Sequence, residues 1–166
     1  MADTRAGLPP ELADAGRAPT TTAAGLGTVG LSLAFALWTF LTLQTGVEDE
    51  TLVATGIGLD ASGTVATILA VVQWLLCLPH LFAGALLLRR SPSAFGAATF
   101  ILGTYGVVAL LLAGGPTLGG DPGPNAIWGI GAGLANLVVL GLVVHPATRR
   151  DLELTQMRRD WVRSRG

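Results

Sequence analysis

The sequence predicts an all-α integral membrane protein, an antiparallel bundle of four transmembrane helices with a cytoplasmic amphipathic helix at its C-terminus. Of its 166 residues, 51% are hydrophobic and only 13% are charged, whereas about a quarter of the residues of a soluble domain are charged. Four apolar stretches, at about 22–45, 63–88, 94–113 and 126–145, contain no Asp, Glu, Lys or Arg. Each reaches the length of about 20 residues that crosses the hydrocarbon core of a bilayer. Because the connections between them are short, neighbouring helices are expected to run antiparallel.

The residues before the first apolar stretch predict a disordered cytoplasmic tail. Residues 1–21 are polar, are interrupted by Gly and Pro, and show no apolar period, so they cannot bury enough apolar surface to fold. The apolar run that follows is longer than the roughly 7–15 residues of a signal-peptide core. We therefore expect it to be the uncleaved first span of a membrane domain that covers residues 22–146.

The second apolar stretch is the only one that places several polar groups on one face. Gln73, Cys77, His80 and Gly84 are separated by four, three and four residues. That spacing puts them on one side of a helix with 3.6 residues per turn. Pro79 lies in the same stretch, where it removes one backbone hydrogen bond and bends the helix.

Small residues form seams on the other three stretches, and such seams let helices approach closely. The fourth stretch contains the pattern Gly129-x-x-x-Gly133. The seams of the first and third stretches contain Ala23, Gly27, Gly30 and Ala34, and Gly96, Thr99, Gly103, Gly106 and Gly114. The seams predict close packing inside the bundle or against another protein.

The C-terminal segment 147–166 has a basic amphipathic pattern. Its six Arg are interspersed with Leu154, Met157 and Trp161 at helical spacing. This pattern predicts a helix at the level of the lipid headgroups, with its Arg side chains toward anionic lipid; the alternative is a soluble charged tail. The candidates for contacts with the membrane surface or a partner are Arg149, Arg150, Arg158, Arg159, Trp161 and Arg163.

The charges of the connections predict the orientation. Arg89, Arg90 and the six Arg of the tail fall on one side of the predicted bundle, whereas the connections 46–62 and 114–125 contain only acidic charges. The second of these connections is rich in Gly and Pro and predicts neither helix nor strand. Because basic residues are retained on the cytoplasmic side, we expect a multi-pass plasma-membrane protein with both termini in the cytoplasm.

His80 lies nine residues before Arg89, about 13 Å from that end at 1.5 Å per residue. Two interpretations stay open: a neutral imidazole bonded to a neighbouring helix, or a group that binds a ligand or a proton. Haem bound through His80 is not expected, because a membrane haem needs a second axial ligand at similar depth. The only other histidine, His145, lies at the end of the fourth stretch.

Gln73 and Asn136 each lie near the middle of an apolar stretch. Since an amide in hydrocarbon needs a hydrogen-bond partner, we expect the two side chains to meet across the bundle. Cys77 is the only cysteine, so the chain forms no internal disulfide. A buried cysteine usually behaves as a small hydrophobic residue.

The sequence contains no nucleotide-binding, metal-binding or triad motif, so no catalytic or metal-ligating residue is predicted. The absence of a carboxylate from the apolar stretches is untypical of proton- and sodium-coupled transporters, and a net charge of −1 gives no electrostatic reason to expect a nucleic-acid partner.

Two functions remain. The first is a non-catalytic accessory or structural subunit of a larger membrane complex, or a bundle that assembles with itself. The alternative is a protein that binds or moves a lipid, quinone or small solute in a pocket lined by Gln73, Cys77, His80 and Asn136. The expected partners are the lipid bilayer and either other membrane-protein subunits or a second copy of the chain.

Overall fold

The computed structural model describes residues 18–45, 53–54, 59–60, 63–118 and 124–164. Apart from two strands of two residues each, this part of the chain is helical, which confirms the predicted all-α class. The helices are α1 (Pro19–Thr45), α2 (Gly63–Leu88), α3 (Ala94–Leu118), α4 (Pro124–Val144) and α5 (Pro146–Arg163). Between α1 and α2, the two-residue strands β1 (Val53–Ala54) and β2 (Leu59–Asp60) pair antiparallel, with Val53 opposite Asp60.

Two expectations about chain segments were wrong. Part of the connection 114–125 is helical, because α3 continues to Leu118 and α4 begins at Pro124. A glycine costs a helix only about 1 kcal/mol relative to alanine, and proline is well tolerated in the first turn. The tail was also expected to be disordered to residue 21, but α1 already begins at Pro19. Residues 1–17 lie outside the described residues.

Within the described residues, two helical segments are long and apolar enough to cross a membrane, namely Pro19–Leu37 and Ala94–Leu111. A third candidate is the pair Gly129–Val144 and Pro146–Arg163, which is bent by 53° at the break between them. The described part of α2 contributes the shorter apolar segment Cys77–Leu88. Two or three of the four predicted spans thus have the length and composition that a membrane requires.

The four long helices pack in a ring. The most extensive contacts join α1 to α2 and α3 to α4, and contacts of α2 with α3 and of α1 with α4 close the ring. Ser32 of α1 lies opposite Cys77 of α2, and Gly25 lies opposite Leu88. Residue numbers therefore rise along one helix as they fall along its neighbour, so α1 and α2 run antiparallel.

Glycines set the two closest helix contacts. A Cβ on Gly84 would lie 2.6 Å from Val29 Cγ2 and 3.1 Å from the Gly25 carbonyl oxygen, where α2 meets α1. A Cβ on Gly133 would lie 2.6 Å from Leu110 Cγ and 3.0 Å from the Gly106 carbonyl oxygen, where α4 meets α3. The backbones approach so closely at both places that no larger residue fits without a shift. Not every glycine makes such a contact, because a Cβ would meet nothing within 4 Å at Gly30, Gly96, Gly131 and Gly141.

One end of the ring, here called the arginine end, comprises the start of α1, the turn 89–93, the end of α4 and the helix α5. In that turn the Ser91 N–H donates to the Leu86 carbonyl and the Arg90 N–H donates to the Leu87 carbonyl, which is a Schellman motif. Arg90 occupies its left-handed position at φ 54°. Glycine usually occupies this position, so a further interaction is needed to offset the backbone cost of an arginine there.

That interaction fixes α5 to the bundle. Arg90 Nη2 lies 3.2 Å from Asp151 Oδ2, and the Asp151 side chain is only 5% exposed. The two atoms are at ion-pair distance without the alignment of a hydrogen bond. Thr148 and Leu152 are buried on the same face of α5, and the Thr148 hydroxyl donates to the Leu142 carbonyl at the end of α4. The packed face of α5 is therefore largely polar and includes a paired carboxylate.

We predict that Gly133→Ala lowers the free energy of unfolding by about 1–3 kcal/mol, because an added methyl group overpacks the contact with α3. Gly131→Ala, two residues away on the same helix, is the matched control, since its Cβ would meet nothing within 4 Å. The measurement is reversible unfolding of the purified protein in mixed micelles. Equal effects of the two substitutions would contradict the α3–α4 contact.

Candidate functional site

The centre of the ring holds a hydrogen bond between helices that lie diagonally opposite. His80 Nε2 of α2 and Asn136 Oδ1 of α4 are 3.0 Å apart, and the two residues are 1% and 0% exposed. His80 lies eight residues before the last residue of α2, and Asn136 lies eight residues before the last residue of α4. Because both helices run toward the arginine end, these positions fall at the same depth.

A second bond of Asn136 determines which ring nitrogen of His80 carries the proton. Asn136 Nδ2 donates to the Ala132 carbonyl at 2.9 Å, and a carbonyl can only accept. The amide therefore turns its Oδ1 toward His80, so His80 Nε2 must carry a hydrogen and donate it. This assignment gives His80 the role of a donor at the centre of the bundle.

Aromatic rings from the other two helices enclose the imidazole. The ring of Tyr105 in α3 lies 4.8 Å from that of His80 at an interplanar angle of 89°. The ring of Phe35 in α1 lies 6.1 Å from His80 and 5.4 Å from Tyr105. Edge-to-face pairs of this kind contribute about 0.5–1.5 kcal/mol beyond burial. The cluster of Phe35, His80, Tyr105 and Asn136, here called the central cluster, thus takes one residue from each long helix.

The predicted polar face of α2 points inward wherever its side chains are described. Cys77 is 4% exposed, and Gly84 is buried against α1. Ser32 Oγ donates to the Cys77 carbonyl at 2.7 Å, one turn before His80. A hydroxyl from α1 thereby supplies a further interhelical bond beside the central cluster.

The bond between Asn136 and His80 was not expected from the sequence. The contact with Gln73 was expected because the two residues lie equally far from the predicted helix ends opposite the arginine end. The two helices differ in length, however, since α2 has 26 residues and α4 has 21. When residues are counted from the arginine end, where both helices end, Asn136 lies at the same depth as His80. The Gln73 side chain lies outside the described residues, so its place in the network stays a prediction.

His145, the second histidine, is engaged elsewhere. It is the N-cap of α5, where its Nδ1 accepts a hydrogen bond from the Ala147 N–H at 3.2 Å and Pro146 fills the first helical position. In the part of the chain that the structure describes, no group of three His, Cys, Asp or Glu side chains comes together as metal ligands would.

Two of the basic candidates in the tail have partners within the chain. Arg159 Nη2 donates to the Arg89 carbonyl at 2.8 Å, which satisfies an acceptor at the C-terminal end of α2. Arg149 pairs with Glu153 at 3.0 Å on the exposed side of α5. The other candidates on α5 are the exposed Arg150, Arg158 and Arg163 and the partly buried Trp161, and a surface contact for them stays a prediction.

Sequence reasoning did not single out Phe35, Tyr105, Ser32 or Asp151. The rings of Phe35 and Tyr105 look like any apolar or interfacial residue until the partner helix is known. Asp151 did carry a signal, because it is the first carboxylate after the fourth apolar stretch and follows Arg149–Arg150. Its pairing with Arg90 depends on the turn after α4, which the sequence does not reveal.

Comparison of the chain with protein-family models, with curated proteins and with solved structures found no significant match.

We predict that His80 and Asn136 are energetically coupled. In a double-mutant cycle with His80→Ala and Asn136→Ala, the coupling should be about 0.6–2 kcal/mol, the range for hydrogen bonds between membrane helices. The control cycle uses Phe82→Ala instead of His80→Ala, because Phe82 is 61% exposed. The effects of Phe82→Ala and Asn136→Ala on the free energy of unfolding should be additive within about 0.5 kcal/mol. Additivity in both cycles would show that the pair contributes nothing to stability.

Proposed function

We propose that the chain is an integral plasma-membrane protein whose four long helices cross the bilayer, and that it is a non-catalytic accessory or structural component. In this role it assembles either with other membrane-protein subunits or with a second copy of itself. The observation that carries the proposal is the distribution of polarity, which is inverted relative to a water-soluble bundle.

Large apolar side chains cover the outside of the four long helices. Phe100, Leu111 and Val138 are about 70% exposed (73%, 69% and 69%). The exposed residues in the described part of α4 follow a helical repeat: Ile127, Gly131, Leu134, Val138, Gly141 and Val144. Water-soluble proteins rarely expose contiguous apolar surface of this extent, whereas hydrocarbon solvates it.

Polar side chains, in contrast, lie inside the ring. Thr28, Ser32 and Thr39 of α1 are 0% exposed and donate to backbone carbonyls, and His80 bonds to Asn136. Lipid offers no hydrogen-bond partner, so a membrane protein must satisfy its polar groups internally. These bonds support the role of the central cluster in holding helices together, and hence a non-catalytic function.

The arrangement of the arginine end supports an orientation with both termini in the cytoplasm. Arg89, Arg90 and the arginines of α5 lie at this end, while β1 and β2 belong to the connection at the opposite end. Arginine is retained on the cytoplasmic side. We therefore infer that α5 is a cytoplasmic helix. Leu154 is partly buried and Met157 is 50% exposed, so this apolar stripe stays available for the membrane surface.

Open glycines support assembly with a further helix. Gly131 and Gly141 lie on the exposed face of α4 with nothing in reach of a Cβ, and Gly30 on α1 is equally open. An outward glycine lets another membrane helix approach closely. The inward glycines Gly106 and Gly133 already serve the contact between α3 and α4.

The alternative, a ligand site around His80, is favoured by one observation. An imidazole and a tyrosine ring meet at the centre of the bundle, and ionisable groups at membrane depth are often functional. If the site binds a ligand, His80→Ala should abolish binding or activity with little loss of stability. If the cluster is structural, the same substitution should lower stability and leave any associated activity intact in the folded fraction.

We predict that the full chain in its native membrane crosslinks to a stoichiometric protein partner or to itself, and co-elutes with it in a mild detergent. Gly131→Leu should weaken this association at least tenfold, because it blocks close approach, while the free energy of unfolding stays within about 0.5 kcal/mol of that of the parent protein. Phe100→Leu, on the exposed face of α3, is the control. A monomer that co-purifies only with a small molecule would favour the alternative.

A further inference from the structure

A cavity of about 400 Å³ opens at the arginine end, between the start of α1, the end of α2 and the middle of α5. Its polar lining consists of three guanidinium-bearing and three hydroxyl-bearing residues: Arg89, Arg90, Arg159, Thr21, Thr22 and Thr155. Its apolar lining is Leu87 and Leu88. The volume falls in the range of roughly 300–1,000 Å³ that is typical of small-molecule sites.

The charge of this lining is unbalanced. None of the residues that line the cavity is acidic. Arg90 faces Asp151, which offsets one of the three positive charges. One N–H of Arg159 is directed to the Arg89 carbonyl, but this neutral acceptor leaves the charge of the guanidinium in place. The lining therefore carries a net charge of about +2, and the positive N-terminal end of α1 adds to it.

An unsatisfied hydroxyl lies at the same place. Thr21 is 1% exposed, lines the cavity, and its Oγ1 has no hydrogen-bond partner in the structure. A buried polar atom without a partner costs about 1–3 kcal/mol, and such atoms are rare enough to require an explanation. An oxyanion that accepts from the Thr21 hydroxyl removes this cost.

We propose that this cavity binds a phosphate group. The planar, forked guanidinium of arginine matches the geometry of phosphate oxygens, and the Thr21 hydroxyl adds a neutral donor. Arg89 and Arg159 come from different helices, α2 and α5, so a bound phosphate also joins α5 to the bundle. Leu87 and Leu88 suit the ester carbons that adjoin a phosphate group.

The phosphate can belong to a lipid headgroup or to a soluble compound, and both present the same oxyanion to the arginines. The lipid source rests on the proposed membrane orientation, which puts the arginine end at the depth of the cytoplasmic headgroups. The binding chemistry of the cavity does not depend on that orientation, so the two claims fail separately.

The test measures thermal unfolding of the full chain in a neutral maltoside detergent. One arm adds inorganic phosphate against chloride at constant ionic strength, and the other adds phosphatidylglycerol against a diacylglycerol with the same acyl chains. Stabilisation by inorganic phosphate assigns a soluble ligand, and stabilisation by phosphatidylglycerol alone assigns a lipid headgroup. Stabilisation by neither probe overturns the site, whatever the membrane topology.

Variants locate the effect. Arg89→Gln and Arg159→Gln should each weaken the apparent affinity for the effective probe at least tenfold, because each removes charge-assisted hydrogen bonds. Arg158→Gln is the matched control, since Arg158 is exposed on α5 and does not line the cavity. Thr21→Val tests the hydroxyl without altering charge and should weaken the affinity several-fold. An equal loss in the Arg158 variant would mean general attraction to positive charge and would overturn the proposal.

Discussion

The hydrogen bond between His80 and Asn136 is the contact on which the arrangement of the four long helices depends. Two neighbouring pairs of helices, α1 with α2 and α3 with α4, approach closely at Gly84 and Gly133. A donor on α2 and an acceptor on α4, both fully buried, fix the depth of these diagonally opposite helices relative to each other. The rings of Phe35 and Tyr105 form a contact between α1 and α3, the other diagonally opposite pair of helices, beside this bond. An unpaired amide or imidazole there would carry its whole desolvation cost, so the bond selects one register.

The same constraint explains why polar groups are concentrated inside and apolar groups outside. The hydroxyls of Thr28, Ser32 and Thr39 in α1 donate to carbonyls of their own helix or of α2, so these buried donors are satisfied without water. At the arginine end, Arg90 adopts a left-handed backbone conformation that is unfavourable for a non-glycine residue, and its side chain pairs with Asp151. Arg159 reaches the end of α2 from α5. These two contacts place the basic helix beside a positively charged cavity.

The sequence was sufficient for the all-α class and for the approximate positions of the helices, because long apolar stretches bounded by charged, Gly-rich and Pro-rich connections predict helices. It was also sufficient to single out His80 and Asn136, since polar residues in such stretches are few. It did not reveal that these two residues pair, because the depth of each residue was counted from the far ends of two helices that differ in length. Phe35 and Tyr105 could not be chosen among the apolar residues, and the Arg90–Asp151 pair depends on the bend between α4 and α5. Tertiary geometry, not local pattern, determines all three.

Nitroxide scanning of α4 tests most directly whether the exposed apolar faces of the helices contact lipid. Single cysteines from position 131 to 143, in a Cys77→Ala background, would be spin-labelled in bilayers. Collision rates would then be measured with oxygen, which dissolves in lipid, and with a water-soluble nickel complex. We expect oxygen maxima at 131, 134, 138 and 141, minima at 136, 139 and 143, and little access for nickel throughout. Nickel maxima at the exposed positions, or oxygen collision rates without a helical period, would contradict contact of these faces with lipid.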